Sequence, residues 1–258
     1  MLLDTIFFYY QKLNREIKKF HERKIEDEYI YLIVDGIHLK VKDGVRYRKR
    51  VVLCAYGVRK DGRRKLIDFM IVQGESETAW EGFLGDLYRR GLEGKELKLI
   101  VSDGSKGLEK ALEIIYPRVL HQRCWRHKME NVANKIPRKW REECVEEAKK
   151  IYQAGSRKEA VKIYWEWAKK WREKVPKAVS CLEKDLGKLL HFYKFPQAHW
   201  KHIRTTDILE RAFREVRRRV RPISCFTNRE SCERVIYGVI SNLNKNWEDT
   251  PIEFTQNY

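Results

Sequence analysis

The stretch "KLIVSDGSKGLEKAL", residues 98–112, holds an apolar run from Leu99 to Val101 that ends on Ser102, Asp103 and Gly104 and passes directly into a helical pattern. The same junction occurs in "YLIVDG", residues 31–36, where Tyr31 to Val34 leads into Asp35 and Gly36. One acid of this kind is an ordinary turn residue. Two of them, each at the downstream end of an apolar run, indicate strands delivering carboxylates to a common place, because ligand sites in open α/β sheets collect at strand C-terminal ends.

Working outward, residues 1–24 read as an amphipathic helix. An acid at position 4 and the lack of a basic leader or small-residue cleavage site argue against a signal peptide. A strand near 30–40 follows, then "RKRVVLCAYGV" and "RRKLIDFMIV" as two β-rich segments, with Asp43-Gly44 and Asp61-Gly62 as hairpin turns. Ala79, Trp80, Phe83, Leu84, Leu87 and Tyr88 have helical spacing, and Gly91 stops that helix. A strand over 97–102, a helix over 105–115 and a short strand around "RVLHQ" complete the run. The order of three strands, helix, strand, helix, strand is that of an RNase H-like α/β core, a mixed five-stranded sheet flanked by helices.

Residues 126–203 change character to long, charged, Trp-rich helical segments with no strand signal, such as "RKEAVKIYWEWAKKWREK" behind a capping box from Ser156 to Glu159. This block reads as a helical insertion. One helix then begins at Asp207 and another after "CFTNRE", where Thr227 and Glu230 have capping-box spacing. The expected organisation is an N-terminal helix and linker (1–29), the first part of the core (30–125), the insertion (126–203) and closing helices (204–258).

The 258 residues carry 55 Lys plus Arg against 37 Asp plus Glu, a net charge of +18. Such an excess points to a polyanionic partner. No stretch has the apolar length of a membrane span, so nucleic acid is favoured over a membrane face. A salt-bridged surface adapted to heat would explain the charge density but not its sign. Six scattered cysteines do not resemble a disulfide framework, and the expected compartment is the reducing cytoplasm, in association with the nucleoid.

Three acids stand out: Asp35, Asp103 and Glu210, the last in the first turn of "DILERAFREVRRRVRP". Strands one and four are neighbours in an RNase H-like sheet, which would bring Asp35 and Asp103 face to face. Adjacent carboxylates repel unless a cation compensates them. Mg²⁺ prefers such oxygens, and a pair of ions about 4 Å apart suits phosphodiester cleavage and transfer. Glu210 lies at the edge of the stripe Leu209, Phe213, Val216, Val220. A helix cap with Asp207, a salt bridge to Arg214 and a metal ligand all fit that position.

The runs "YLIVDGIHLKV", residues 57–112, "YPRVLHQRCWRHKMENVANKIP" and "FPQAHWKHIRTTDILERAFREVRRRVRPI" closely resemble the Mutator-type transposases of insertion sequences, over roughly residues 28–250. The resemblance implies a DDE transposase with catalytic, metal-binding Asp35, Asp103 and Glu210. It further implies Mg²⁺ as cofactor (Mn²⁺ as substitute), and a homodimer acting on double-stranded DNA at terminal inverted repeats and target sites. Asp207 stands where the family usually has Asn; either residue caps a helix. Only 34 residues precede Asp35, so the chain is expected to be a catalytic region without the family's usual N-terminal DNA-binding domain. Rival readings are an RNase H-like nuclease without strand transfer and a non-catalytic DNA-binding relic.

"HQRCWRH" spaces His121, Cys124 and His127 at intervals of three, but a zinc site needs a fourth ligand and only distant Cys144 offers itself. Zinc is disfavoured. Cys124 and His127 match the family's C-x-x-H motif and, with Arg123, are expected to shape the site or contact DNA. Arg214, Arg217 and Arg218 belong to an arginine run whose default reading is a solvated face; Arg214 and Arg217 share the side of Glu210 and would hold phosphates there. Trp165, Trp167 and Trp171 are expected to pack between helices, and Trp80 to lie in the core.

Overall fold

The computed structural model describes residues 2–43, 46–221 and 225–254, so the expected Asp43-Gly44 turn lies outside the described residues. The elements run α1 (Leu2–Glu22), β1 (Tyr29–Asp43), β2 (Arg46–Arg59), β3 (Arg64–Val72), α2 (Glu77–Arg89), β4 (Leu99–Ser102), α3 (Lys106–Ile115) and β5 (Leu120–Arg123). The strands form one mixed sheet in the order β3-β2-β1-β4-β5, with β1–β2 and β2–β3 antiparallel and β4–β5 parallel. This is the RNase H-like α/β arrangement read from the sequence. Six α-helices follow before the chain reaches Asp207: α4 (Trp125–Ala133), α5 (Arg138–Gln153), α6 (Arg157–Trp171), α7 (Pro176–Glu183), α8 (Leu186–Leu189) and α9 (Trp200–Ile203), with two short 3-10 turns between the last two. The closing pair is α10 (Asp207–Val220) and α11 (Arg229–Glu248). None of the helices described is long and apolar enough to cross a membrane.

The chain packs as two compact units, the first built on Met1–Lys98, Ser105–Val119 and Ile208–Glu253, the second on Leu99–Gly104 and Leu120–Asp207. In the first, residues 31–35 of β1 are buried on both faces, whereas from Ile37 onward buried Ile37, Leu39 and Val41 alternate with exposed His38, Lys40 and Lys42. Asp35 therefore sits where the strand passes from two-sided to one-sided burial. β3 carries a bulge at Ile67, where the register with β2 shifts. Its edge is closed by side chains: Asn244 of α11 accepts from Leu66 N (2.8 Å) and donates to Leu66 O (3.0 Å), and Arg23 donates to Ile67 O. Asp68, 1 % exposed, accepts from His21 Nδ1 (2.7 Å), from Arg90 and from Phe69 N (2.7 Å), and so ties α1, β3 and the end of α2 together. Trp80 is fully buried, as expected.

In the second unit Ser156 Oγ accepts from Glu159 N (3.2 Å), while the Glu159 carboxylate reaches back to Gly155 N (2.8 Å). The α6 stripe Ala160, Tyr164, Trp167, Ala168 and Trp171 is buried, and Trp167 Nε1 donates to Cys144 O (3.0 Å) on α5. Trp165 departs from expectation. It follows Tyr164 by one residue, about 100° around the helix, and is 55 % exposed. A second correction falls at α11, whose N-cap is Asn228, not Thr227: Asn228 Oδ1 accepts from Ser231 N at 2.7 Å, and Thr227 lies one residue too early for that bond.

Candidate active site

Asp35 pairs across the β1–β2 ladder with Cys54 and is 7 % exposed. Its Oδ1 accepts from Gly36 N at 2.8 Å, which fixes one carboxylate oxygen. Gly36 is needed for close approach: a Cβ there would lie 2.6 Å from Glu75 Oε1 and 3.1 Å from Val51 Cγ1. Glu75 is thus a further carboxylate packed beside the Asp35 backbone, and it pairs with His38 Nε2 at 3.5 Å when that ring is protonated. The sequence reading passed over Glu75. Its only signal is an acid standing immediately before the Ser76 cap of α2.

Glu210 reaches the same place because of how α10 is seated. Leu209, Ala212, Phe213, Val216 and Val220 form its buried face. Ala212, Phe213 and Val216 line one small apolar void with Ile37, Val52 and Cys54 of β1 and β2. Beyond the helix the chain returns to β1: Phe226, fully buried, makes a parallel bridge with Val41, with Lys42 N donating to Phe226 O (2.8 Å) and Phe226 N to Lys40 O (3.2 Å). Glu210 is half-buried at the edge of the apolar stripe, and a carboxylate oxygen of Glu210 lies within 4.8 Å of one of Asp35. Two hard-oxygen donors this close, one withdrawn from water, suit a hard divalent cation such as Mg²⁺.

Asp103 lies in the second unit, half-buried just past β4. Its neighbour Gly104 has φ +76°, and a Cβ there would lie 2.8 Å from the Arg123 guanidinium. Only glycine meets both constraints without strain. Gly104 N donates to Ser102 Oγ (3.2 Å), which in turn lies 2.6 Å from His121 Nε2. Burial, reinforced by Lys188, Arg123 and His191, pushes the His121 pKa down to about 3, so the ring is neutral at physiological pH. Arg123 pairs with Asp185 Oδ2 at 3.0 Å, and buried Lys128 binds the same oxygen. A buried cluster of two cations and one carboxylate therefore backs the Asp103 loop. Asp185 and Lys128 carried no recognisable sequence signal.

Cys124 is fully buried, with its Sγ accepting from Thr206 N (3.3 Å) and Thr206 Oγ1 (3.6 Å) and its N–H donating to Ser102 O (2.7 Å). His127 is half-buried in the first turn of α4. Arg214 and Arg217 are exposed on α10, whereas Arg218 is engaged by Glu215 at 3.0 Å.

The chain matches the family model "Transposase, Mutator family" over residues 4–250. It is 34% identical over 237 residues to the transposase for insertion sequence element ISRM5 of Rhizobium meliloti (strain 1021), covering 92% of this chain and 59% of that protein. It is 38% identical over 194 residues to the transposase for IS6120 of Mycolicibacterium smegmatis (75% and 59%) and 36% identical over 198 residues to the transposase for IST2 of Acidithiobacillus ferrooxidans (76% and 66%). The chain thus spans about three fifths of the length of the curated relatives it matches.

Proposed function

The chain belongs to the Mutator family of transposases, and from that premise we propose that it is a DDE transposase, cutting DNA at the ends of a mobile element and joining the freed ends to target DNA. Asp35, Asp103 and Glu210 act as the catalytic acids and hold two Mg²⁺ ions. Bound there, the cations would activate the attacking oxygen and stabilise the leaving one. The single observation that carries this reading is the convergence of Asp35 and Glu210, remote in sequence, to within 4.8 Å. The buried Asp35 side chain, pinned by Gly36 N–H, offers one oriented lone-pair set, and Glu210 arrives from a helix that the Phe226 bridge holds against β1.

Water first hydrolyses a phosphodiester, and the resulting 3′-hydroxyl then attacks the target, so one site serves both steps and no covalent protein intermediate is required. Cys124 and His127 shape the site, Arg123 holds the Asp103 loop, and Arg214 and Arg217 receive backbone phosphates. Double-stranded DNA is the substrate and a homodimer the working form, since two element ends must be held together.

The test is an assay with pre-cleaved element ends and a supercoiled target plasmid in Mg²⁺. Joined product from the wild-type chain, abolished in Asp103→Asn without loss of DNA affinity, supports the reading. Cleavage with no joined product would reduce the protein to a nuclease, and binding with neither reaction to a DNA-binding relic.

A further inference from the structure

In the first unit, α1, the β2–β3 hairpin and α11 enclose a cavity of about 570 Å³. Of its thirteen lining residues seven are Lys or Arg and two are Glu. Lys19 pairs with Glu16 (3.3 Å), Arg59 with Glu28 and Arg63 with Asp61 (3.6 Å), which leaves the rest of the positive charge uncompensated by a salt bridge among the described residues. Lys65 and Lys245 are exposed and have no carboxylate within 4 Å among the described residues. The Arg64 guanidinium lies over the Trp247 ring (5.6 Å), and its Nε, shielded from solvent, has no hydrogen-bond partner among the described residues. Arg23 is held by two backbone carbonyls, those of Phe20 and Ile67, and by the Phe20 ring 3.9 Å away, an arrangement that leaves its charge intact.

We propose that this cavity is a binding groove for the phosphodiester backbone of duplex DNA, separate from the Asp35–Glu210 pair. The cations come from three parts of the chain and converge on one opening, which a polyanion can span. The groove has no carboxylates converging on a metal and reads no base edges. Its role is to hold DNA in register while the acids act elsewhere. The identity of the polyanion rests on the transposase reading.

The experiment measures binding of the full chain to a 30-bp duplex of arbitrary sequence by fluorescence anisotropy across a salt series. Lys65→Gln/Lys245→Gln is compared with Lys158→Gln/Lys177→Gln, which removes equal charge from exposed positions on α6 and α7. Each phosphate contact contributes about 0.9 to the slope of log K against log salt. The groove pair should lower that slope by about 1.8 and weaken binding at least tenfold, with the control pair near wild type. Thermal melts establish that both variants are folded. An unchanged slope in the groove variant, or an equal loss in the control, overturns the inference. A selective loss of slope in a chain that never cuts or joins DNA would keep the groove and defeat the transposase reading. A chain that cuts and joins normally with no selective loss would do the reverse.

Discussion

Replacing Asp185 by Asn tests the cluster that backs the Asp103 loop. The side chains of Asp185, Lys128 and Arg123 are 10%, 3% and 14% exposed, and both cations bind the same carboxylate oxygen. Withdrawing the negative charge leaves two largely desolvated cations facing a neutral amide, and removing one partner of a buried ion pair costs about 3–5 kcal/mol. The expected loss is about 4 kcal/mol, a large part of the roughly 5–15 kcal/mol available to a folded domain. Urea denaturation followed by circular dichroism measures it as a lowered midpoint at unchanged slope. The second variant, Asp185→Asn/Lys128→Met, removes the more deeply buried of the two cations and should recover at least ~1.5 kcal/mol. Amide exchange at residues 102–105 should accelerate in the single variant. A single-variant loss under ~1 kcal/mol, or no recovery in the double variant, would refute the argument that this cluster is an ion network under desolvation.

Three further outcomes follow from particular residues. Burial opposes protonation of His21, but its hydrogen bond to Asp68 and its ion pair with Glu233 (3.5 Å) outweigh it and raise the pKa from 6.5 to about 9. The folded state then holds a proton that the unfolded state releases, so the contribution is complete below pH 6.5 and lost as pH rises through about 9. With the ring about a quarter exposed, solvent screening reduces the linked stability to ~2 kcal/mol, and a stability–pH profile should flatten over that window in His21→Gln. Gly104→Ala forces a side chain into φ +76° against the Arg123 guanidinium. A cost of about 2 kcal/mol and at least a tenfold fall in metal-dependent cleavage are expected, read from melts and a gel assay. Arg214→Ala/Arg217→Ala should weaken DNA binding alike for all sequences and lower the salt slope by about 1.8, measured by anisotropy.

Much of this arrangement was legible because the signals were local. Asp103 follows a run that ends with β4 at Ser102, but Asp35 lies inside β1 (Tyr29–Asp43) and not at its end: the apolar run before it marks where two-sided burial gives way to one-sided burial, which a run of residues alone does not tell apart from a strand end. The helical character of residues 126–203 showed in its Trp and charge periodicity. Glu210 was ambiguous, since the first turn of a helix suits a cap, a salt bridge and a ligand equally; only its seating on Ile37 and Val52 resolves which way it faces. Glu75, Lys128 and Asp185 were not legible, because their roles depend on contacts with residues far away in the chain that leave no periodic trace. Trp165 misled because composition does not say which of three neighbouring tryptophans faces inward. At α11, Thr227-x-x-Glu230 and Asn228 offer overlapping caps one residue apart, and the folded backbone uses the asparagine.

The central claim is that Asp35, Asp103 and Glu210 together hold divalent cations. Titration of the full chain with Mn²⁺, followed by electron paramagnetic resonance of the free ion, measures it without any DNA. The account predicts saturable binding of about two ions per chain, lost or reduced to one in each of Asp35→Asn, Asp103→Asn and Glu210→Gln. Wild-type Mn²⁺ binding retained in Glu210→Gln would contradict it.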